Sequence, residues 1–600
     1  MSDNEQRLVQ AARDGEWLVG DVVRAGLVRE LLLGRHGEID PAGLRLDSVR
    51  VEGVLDLNRV KALAGLVFSN CVIVEPIKAR YASLPDLVFA GGRCGGIHAN
   101  GLQVDGDVFL RGGTEFAGDE PDSSTVRLIG ARIGGDLELS GVRISNARGR
   151  ALDAADLTVN GTVFLRDGTK ITGTGPQSAV SLVGARIASS LELAEVEIGN
   201  ATGPALSLDA SAIGGMHLRR AVRITAHTPK SAVRLVSATI SGHLELSDTR
   251  ITNPAGIALD ANGARVDGAL LLRDEVFITA HSEVGAVDLV SSRIGTAFEL
   301  AGTEIRNAAG AAITADRISV DGPLTVRGGT KLTAGGGDPA LSLIGAHLRD
   351  RFACSDEVVL ESTPALVLRD ATVGTSVRLP HEALCPDRGR GPTCPHGNLV
   401  LLDDFTYSSL ARWDWQEWLH VIRCHTPAYH ASAYQRLAAV ERAAGHDGTV
   451  RRILMAQQTD LRRRSPQSLG GRLTRWFHWL WGVLAGYGYR ARRTAAALLL
   501  VLAVSGALGW WAGQVPTRPG HLAAERVSSA APCSTVELIG LGLDRGLPLA
   551  MTGMRARCDL DTSSRKGQAF TAAIWLVQLA VWGLATLALA GYTNLVRKPG

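Results

Sequence analysis

Apolar and polar residues follow one recurring pattern through the middle of the chain. A single phrase returns five times, and each copy contains a run in which apolar and polar positions alternate, as in Leu137-Glu138-Leu139. The copies start at Val126, Val180, Val233, Val287 and Leu341. Successive starts are 54, 53, 54 and 54 residues apart. Because Gly, Asn-Gly or Asp-Gly interrupts the alternating runs, the pattern predicts short strands and turns in a repeat protein.

Each unit also contains a weaker copy of itself, which begins at Ala151 in the first unit. The matched apolar pairs are Leu128 with Ala154, Ile133 with Val159, Leu137 with Val163 and Leu139 with Leu165. One coil is therefore about 27 residues long. A coil of such short strands can bury its inner face only against neighbouring coils. We therefore predict a mainly β fold, a parallel β-helix solenoid over residues 44–380 with two coils per 54-residue repeat.

Recurring polar residues mark the predicted turns. Four dipeptides fall at equivalent points, Asp105-Gly106, Asn160-Gly161, Asp267-Gly268 and Asp321-Gly322. We expect their glycines to adopt positive φ, where glycine is strain-free. Four asparagines also recur in register, Asn146, Asn200, Asn253 and Asn307. We expect these side chains to bond the backbone of the turns rather than to form a ligand site.

The flanks of the solenoid have a different periodicity. Residues 1–43 are predicted to be a helical cap, because the segment from Val22 to Gly34 has a helical apolar face that can cover the open strand edges of a solenoid. Residues 381–430 are predicted to be a Pro- and Gly-rich linker followed by a Trp-rich segment. Residues 431–465 have the pattern of a helical hairpin.

The last part of the chain has the pattern of a membrane protein. Residues 470–493 predict an interfacial helix, because tryptophans and tyrosines lie among arginines. Residues 494–512 and 570–592 are each long and apolar enough to predict a transmembrane helix. Eight arginines and no acid lie between Arg462 and Arg493, and Arg597 and Lys598 follow the second span. The positive-inside rule therefore predicts cytoplasmic termini, an extracytoplasmic loop at 513–569 and a cytoplasmic tail at 593–600 of a two-span cell-membrane protein.

The amino-acid composition excludes some classes of protein function. The 600 residues are 46% hydrophobic, yet the net charge is only +3, so there is no specific signal for nucleic-acid binding. The first thirty residues contain ten charged side chains and no apolar core of a signal peptide, so we expect no cleavable secretion signal and a cytoplasmic repeat domain. Eight cysteines occur without a Cys-x-x-Cys pair, which argues against a thioredoxin-type motif and a disulfide scaffold.

Two groups of histidines and cysteines follow the solenoid. His381, Cys385, Cys394 and His396 form a weak candidate Cys₂His₂ metal set, since their spacing is unlike that of a familiar zinc finger and a flexible linker is the alternative. His420, Cys424, His425 and His430 form a second group. We interpret the second group as ordinary packing in a Trp-rich helical region.

The most informative surface feature is a ladder of arginines, which we call the arginine ladder. It consists of Arg111, Arg166, Arg219, Arg273 and Arg327, one in every second coil. A track for an extended anionic partner is one interpretation. A parallel set of glutamates, Glu138, Glu192, Glu245 and Glu299, supports the alternative of a salt-bridge lattice. Both interpretations remain open from the sequence.

Cys533 and Cys558 are the two cysteines between the predicted spans. Because the loop is predicted to face outside, where thiols oxidise, we predict a disulfide between them. Two unpaired thiols in a flexible loop are the alternative.

The order of parts resembles a family of actinobacterial membrane proteins. Their β-helical repeats are similar to degenerate pentapeptide repeats, and members often carry the label "membrane-associated oxidoreductase". The resemblance rests on the segment from Val22 to Gly34, the repeated phrase Gly-Ala-Arg-Ile-Gly-Gly-Asp-Leu-Glu-Leu and the segment from Tyr434 to Gly445 before two spans. It implies a redox activity by name alone, because none of these motifs is a catalytic signature.

No motif in the sequence identifies catalytic residues or a cofactor site. A dinucleotide-binding glycine motif, a haem-attachment motif, an iron–sulfur cysteine set and a Walker A motif are all missing. We therefore expect a non-catalytic, membrane-anchored β-helix that acts as a binding or scaffold module for a protein or anionic polymer. The alternatives are the membrane-associated oxidoreductase that the resemblance implies and a channel-like protein with two spans.

Overall fold

A computed structural model describes residues 3–121, 123–488, 491–529, 531–547 and 553–592 of the chain. The chain divides into two compact units, Met1–Pro427 and Ala428–Gly600. The first unit is a parallel β-solenoid of about 13 turns, and the second unit is mainly helical. The predicted β-solenoid is thus confirmed.

A solenoid coil contains up to four short strands, which stack on the corresponding strands of the next coil and so form four faces. The first face is a separate sheet of 13 strands. Its strands are Ile77–Lys78, Ile97–His98, Ser124–Arg127, Arg150–Asp153, Val180–Ser181, Leu206–Ser207, Ser231–Arg234, Ile257–Asp260, Val287–Asp288, Ile313–Thr314, Leu341–Ser342, Leu366–Val367 and Val400–Leu401.

The other three faces merge into one sheet of 36 strands because several strands bend from one face into the next. The second face contains Ser83–Leu84, Gln103–Val104, Arg132–Ile133, Thr158–Val159, Arg186–Ala194, Ala212–Arg219, Thr239–Ile240, Arg265–Val266, Arg293–Ile294, Ser319–Val320, His347–Leu348 and Thr372–Val373. The third face contains Trp17–Val19, Leu44–Asp47, Leu66–Ile73, Leu87–Cys94, Val108–Arg111, Leu137–Ser140, Val163–Arg166, Leu244–Leu246, Leu270–Ala280, Phe298–Asn307, Leu324–Arg327, Phe352–Cys354, Ser376–Arg378 and Ser409–Leu410. The fourth face contains Val22–Arg24, Arg50–Glu52, Glu115–Gly118, Arg143–Asn146, Lys170–Gly173, Glu197–Asn200, Val222–Ala226, Thr249–Asn253, Lys331–Thr333 and Val359–Glu361.

Strand register places the predicted inward residues on top of one another. Ile133 pairs with Val159, and Leu137 and Leu139 pair with Val163 and Leu165. These side chains are at most 2% exposed. The alternation of the sequence therefore buries a continuous aliphatic column, since side chains of a strand point to its two sides in turn.

The turn glycines have a different role from the one expected. Gly106, Gly161, Gly268 and Gly322 do not adopt positive φ. Instead, a Cβ at each position would overlap atoms of the neighbouring coil, as Gly322 shows against the Thr296 carbonyl oxygen. The expectation of positive φ is therefore wrong: glycine is needed there because adjacent coils approach too closely for a side chain.

Both ends of the solenoid extend beyond the predicted limits. Helices α1 (Asp3–Asp14) and α2 (Ala25–Leu32) lie in the predicted cap, but Trp17–Val19 and Val22–Arg24 are strands that pair with Leu44–Asp47 and Arg50–Glu52. The helix thus starts at Ala25, not at Val22. This strand pairing extends the β-sheet and provides hydrogen-bond partners for backbone groups that a sheet edge would leave unpaired.

The predicted linker is also structured. After the short helix α3 (His381–Leu384), Val400–Leu401 and Ser409–Leu410 join the first and third faces. Helix α4 (Trp415–Cys424) follows and is capped by Asp414. Val400, Trp413 and Trp418 are buried in this last coil and its covering helix. Apolar residues therefore fold a segment whose proline and glycine content suggested flexibility.

The second unit begins with the helical hairpin of α5 (Ala431–Ala443) and α6 (Asp447–Arg464). A short 3₁₀ helix (Pro466–Leu469) precedes α7 (Arg472–Ala485), which presents exposed Trp476, Phe477 and Trp479. The helical conformation is interrupted at Gly486–Gly488, where Tyr487 has positive φ. Tyr489 and Arg490 of the predicted interfacial segment lie outside the described residues.

Two helices of the second unit are long and apolar enough to cross a membrane. They are α8 (Ala491–Ala512) and α10 (Arg565–Tyr592), with apolar spans at Arg492–Ala512 and Arg565–Leu589. Between them lie strands Pro516–Arg518, His521–Leu522, Ala524–Arg526 and Cys558–Leu560, helix α9 (Thr535–Gly546) and the 3₁₀ helix Met554–Ala556. The predicted tail at 593–600, with Arg597 and Lys598, lies outside the described residues.

Candidate functional site

The arginine ladder lies on the third face. Arg111 pairs in register with Ser140, and Ser140 pairs with Arg166. Farther along, Arg273 and Arg327 both pair with Ala301. Because stacked strands lie about 4.8 Å apart, successive arginines are about 10 Å apart along the stack. Small residues in the alternate coils leave room for the guanidinium groups.

Four of the five arginines form ion pairs with the glutamates of the same face. Arg166 Nη2 lies 3.0 Å from Glu138 Oε1. Arg327 pairs with Glu299, and Arg219 and Arg273 both pair with Glu245. Among the described residues, Arg111 has no carboxylate oxygen within 4 Å, and its guanidinium lies 5.2 Å from the centre of the Phe109 ring. The ladder is therefore largely charge-compensated.

Glu245 is the most buried carboxylate of this array, with a side chain that is 6% exposed. Burial opposes ionisation, but hydrogen bonds donated by Arg273 and Arg219 outweigh it and hold the pKa of Glu245 below its ordinary value. The same balance, with Arg166 as donor, lowers the pKa of Glu138. Both glutamates are therefore fixed as anions that orient the arginines.

The recurring asparagines bond the backbone, as expected. Asn307 Nδ2 donates to the carbonyl oxygens of Ser282 (2.7 Å) and Ala311 (2.8 Å), and its Oδ1 accepts from the Ser282 N–H (2.9 Å). Asn253 forms the same kind of contacts and is fully buried. These asparagines therefore stabilise turns, and the expectation is confirmed.

The structure joins members of the two histidine and cysteine groups that the sequence separated. Cys385, Cys394, His420 and His425 each place a ligand-type atom within 4.8 Å of the others. The two sulfur atoms are 3.9 Å apart. The cysteines come from the segment after α3, whereas His420 lies within α4 and His425 directly follows it. We call these four side chains the Cys₂His₂ cluster.

The histidines of the cluster are held in a defined orientation. His420 Nδ1 lies 2.7 Å from the carbonyl oxygen of Gly391, and His425 Nδ1 lies 2.8 Å from that of Asn398. A carbonyl can only accept, so each Nδ1 carries the proton and each Nε2 has a free lone pair. Both Nε2 atoms are buried and have no hydrogen-bond partner in the part of the chain that the structure describes, and the two residues are 2% and 0% exposed. Burial lowers the pKa of His425, which favours the neutral ring.

The other two predicted candidates have different environments. His381 stacks on Trp413 with ring centres 3.9 Å apart, and its Nε2 lies 3.2 Å from the Arg412 carbonyl oxygen. His396 lies beside the cluster, with Nδ1 3.3 Å from Cys394 Sγ and Nε2 3.5 Å from Asp387. The sequence interpretation missed the actual quartet because it treated each local group separately. The spacing of His420 and His425, with four residues between them, was the available signal.

The segment between the two apolar helices is held together by a disulfide between Cys533 and Cys558. Nearby, Arg526 Nη2 lies 2.9 Å from Glu537, and Arg518 Nη2 lies 3.0 Å from Asp561. Cys558, Leu538, Leu541 and Leu560 form a small apolar core with residues of α8 and α10. The predicted loop is thus a compact structure.

Together, these features define a β-solenoid protein that also carries two helices able to span a membrane. Searches found no match among protein-family models, curated proteins or solved structures. Its function is therefore inferred from its own residues.

Proposed function

We propose that the protein is a membrane-anchored scaffold that holds a rigid β-solenoid at the cytoplasmic face of the cell membrane. The membrane anchorage is supported by the large exposed apolar surface of the two apolar helices. In their most apolar windows only 22% and 17% of the residues are buried. The exposed side chains include Leu499, Leu500, Trp575 and Leu576. A soluble protein would bury such helices, whereas a bilayer covers them.

The solenoid supplies the binding surface of the proposal. About 13 coils at about 4.8 Å each give a face roughly 60 Å long. Stacked repeats present side chains at fixed intervals, so an extended partner can contact many coils without reordering the scaffold. A protein or anionic polymer partner is the class that an array of partly exposed arginines fits.

The proposal includes two further structural features, an N-terminal cap and a two-coil repeat. Helices α1 and α2 act as an N-terminal cap, supported by buried Leu27, Leu31 and Leu32 and by the contact of Arg24 with Glu5. The two-coil repeat is supported by the arginines and asparagines, which recur in every second coil while small residues occupy the coils between. Its consequence is a spacing of about 10 Å between equivalent charges.

The test of the binding face is a capture experiment with residues 1–427 as bait, because this range is a compact unit. The variant is Arg111→Gln, Arg166→Gln and Arg327→Gln together. It spares Arg219 and Arg273, which hold the buried Glu245. We expect capture of anionic partners to fall and wild-type capture to weaken with salt.

A matched control replaces three exposed arginines of the second face, Arg186, Arg265 and Arg293, by Gln. It removes the same charge from a different surface. If both variants capture equal amounts of the partner, the arginines of the third face form only a salt-bridge lattice and do not bind the partner. Purified full-length protein tests the oxidoreductase alternative, because bound flavin or haem would absorb visible light.

The packing of α9 against α8 favours a second candidate function, a channel-like protein with two spans. Ser505 Oγ donates to the carbonyl oxygen of Gly542 over 2.7 Å. A Cβ on Gly509 or Gly542 would overlap backbone atoms of the other helix, so the two helices touch along their glycines. Ser505 lies seven residues before Ala512, or about 10 Å along the helix. If α8 spans the bilayer, α9 enters it from the loop side as a half-helix.

Ion flux from liposomes that contain the full-length protein distinguishes this candidate from a simple anchor. Gly542→Ala should abolish flux because the added methyl group separates α9 from α8. Gly583→Ala is the matched control, since a Cβ at that position of α10 meets no atom within 4 Å. Correctly inserted wild-type protein without flux would contradict the channel candidate and leave the scaffold.

A further inference from the structure

We propose that Cys385, Cys394, His420 and His425 bind one structural zinc ion at the C-terminal end of the solenoid. The inference starts from two buried nitrogen atoms. Among the described residues, His420 Nε2 and His425 Nε2 have no hydrogen-bond partner, although their rings are almost fully buried. A buried polar atom that forms no hydrogen bond destabilises the folded state. Two such atoms beside two cysteine sulfurs therefore indicate a ligand that accepts both lone pairs.

The donor set selects the metal. Two thiolates and two neutral imidazoles in a tetrahedral arrangement are typical of zinc. Tetrahedral Zn–S and Zn–N bonds of about 2.3 and 2.0 Å place ligand atoms about 3.3–3.8 Å apart. The sulfurs of Cys385 and Cys394 are already 3.9 Å apart, and all four donors lie within 4.8 Å. Small movements of the side chains complete the geometry. Four protein ligands leave no open position, so the site is structural rather than catalytic.

Contacts around the cluster orient its ligands. The two Nδ1–H groups donate to the carbonyl oxygens of Gly391 and Asn398, which directs Nε2 to the metal. This arrangement is the usual second shell of a zinc-bound histidine. The Gly389 N–H donates to Cys385 Sγ over 3.4 Å, and such a contact stabilises a thiolate. Every ligand except Cys394 therefore has a backbone contact that orients it.

The zinc ion would connect two segments at the last coil. Cys385 and Cys394 lie in the Pro- and Gly-rich segment between α3 and strand Val400–Leu401, whereas His420 lies within α4 and His425 directly follows it. The Val400 N–H donates to the carbonyl oxygen of His425 over 2.7 Å. The metal thus holds the irregular segment and α4 against the final coil. This device is suited to a solenoid end, which otherwise exposes its last strands.

Metal analysis of the full-length protein in detergent tests the proposal. We expect about one zinc ion per chain in the wild type. Cys385→Ser and His425→Gln should each reduce the zinc content to background. Cys424→Ser and His396→Gln are matched controls, because both residues lie within 4 Å of a cluster residue but outside the quartet. Both controls should retain zinc.

Two glycines provide a comparison that leaves every ligand in place. A Cβ on Gly389 would lie 2.5 Å from His420 Nε2, whereas a Cβ on Gly391 would meet no atom of the described residues within 4 Å. Gly389→Ala should therefore lose zinc and Gly391→Ala should keep it. Replacing zinc by Co²⁺ gives a second measurement, since tetrahedral thiolate-bound Co²⁺ has strong visible absorption. His420→Cys should bind Co²⁺ with a shifted spectrum, because it preserves four ligands.

Three results would overturn the proposal. One is wild-type protein that contains no zinc and, when reduced, shows no thiolate–cobalt absorption. Another is loss of metal in His396→Gln with retention in His425→Gln, which would assign a different ligand set. The third is metal-free protein in which Cys385 and Cys394 are joined by a disulfide after rapid alkylation of cell extracts. The zinc site is independent of the scaffold function, so its failure would leave the capture experiment unaffected.

Discussion

At the scale of single residues, Glu245 joins two arginines of the ladder. Its carboxylate accepts hydrogen bonds from both Arg219 and Arg273 and is almost buried. We predict that Glu245→Gln lowers the free energy of unfolding of residues 1–427 by about 1–3 kcal/mol, as expected for a charged hydrogen-bonded partner. Urea denaturation measures the change. The control Glu197→Gln removes an exposed partner of Lys170 and should cost less than about 1 kcal/mol.

The contribution of Glu245 to the free energy of unfolding should change with pH in a defined direction. The folded pKa of Glu245 lies below its ordinary value, so its stabilising contribution is complete above the unfolded pKa of about 4.3. The contribution is lost as the pH falls through the folded pKa. We expect wild type and Glu245→Gln to differ most near neutral pH and to converge in acid. A constant difference from neutral to acidic pH would contradict the ion-pair assignment.

Gly322 tests the stacking of coils. A methyl group at this position would overlap the carbonyl oxygen of Thr296 in the neighbouring coil. We predict that Gly322→Ala lowers the melting temperature of residues 1–427, because backbone cannot move aside as a flexible side chain would. Gly199→Ala is the matched control, since its Cβ would meet only Thr172 Cγ2 at 3.9 Å. Equal melting temperatures would show that the coils separate more easily than their close packing indicates.

At the scale of elements, each strand depends on its neighbours above and below. Leu193 is 2% exposed and pairs with Leu165 and Leu218 in the adjacent coils. We predict that Leu193→Asp disrupts several coils, because an unpaired carboxylate in the apolar column costs several kcal/mol. Hydrogen exchange of residues 1–427 should show lost protection in adjacent coils. Val183→Asp, at an exposed position of the same coil, should leave protection unchanged.

The sequence predicts some elements better than others for physical reasons. Strand pairs such as Leu137 with Val163 were predictable because alternation fixes which side chains enter the column. The strand at Val22–Arg24 was not, since its valines fit a helical face equally well and only pairing with Arg50–Glu52 decides the conformation. Likewise, the role of Gly322 depends on the distance between coils, which no local pattern contains.

At the scale of the whole molecule, the same limit applies to the Cys₂His₂ cluster. The histidines lie more than twenty residues after the cysteines, and the fold of the last coil brings them together. Local spacing instead grouped His381 and His396 with the cysteines, although His381 packs on Trp413. The disulfide pair was simpler, because only Cys533 and Cys558 lie between the two apolar helices. A site formed by residues that are distant in sequence can therefore be predicted only where few residues of the required type are available.

The membrane topology can be tested through these cysteines. If Cys533 and Cys558 face outside, their disulfide persists, and closure of the loop stabilises it by roughly 3 kcal/mol in the chain-entropy estimate. We predict that a membrane-impermeant maleimide labels Cys533, which is only partly buried, in intact cells only after mild reduction. A reporter, Asp447→Cys at the exposed first residue of α6, should be labelled only after the membrane is permeabilised. Labelling of that reporter in intact cells would reverse the proposed orientation, since α5, α6 and the arginines before α8 must then lie outside.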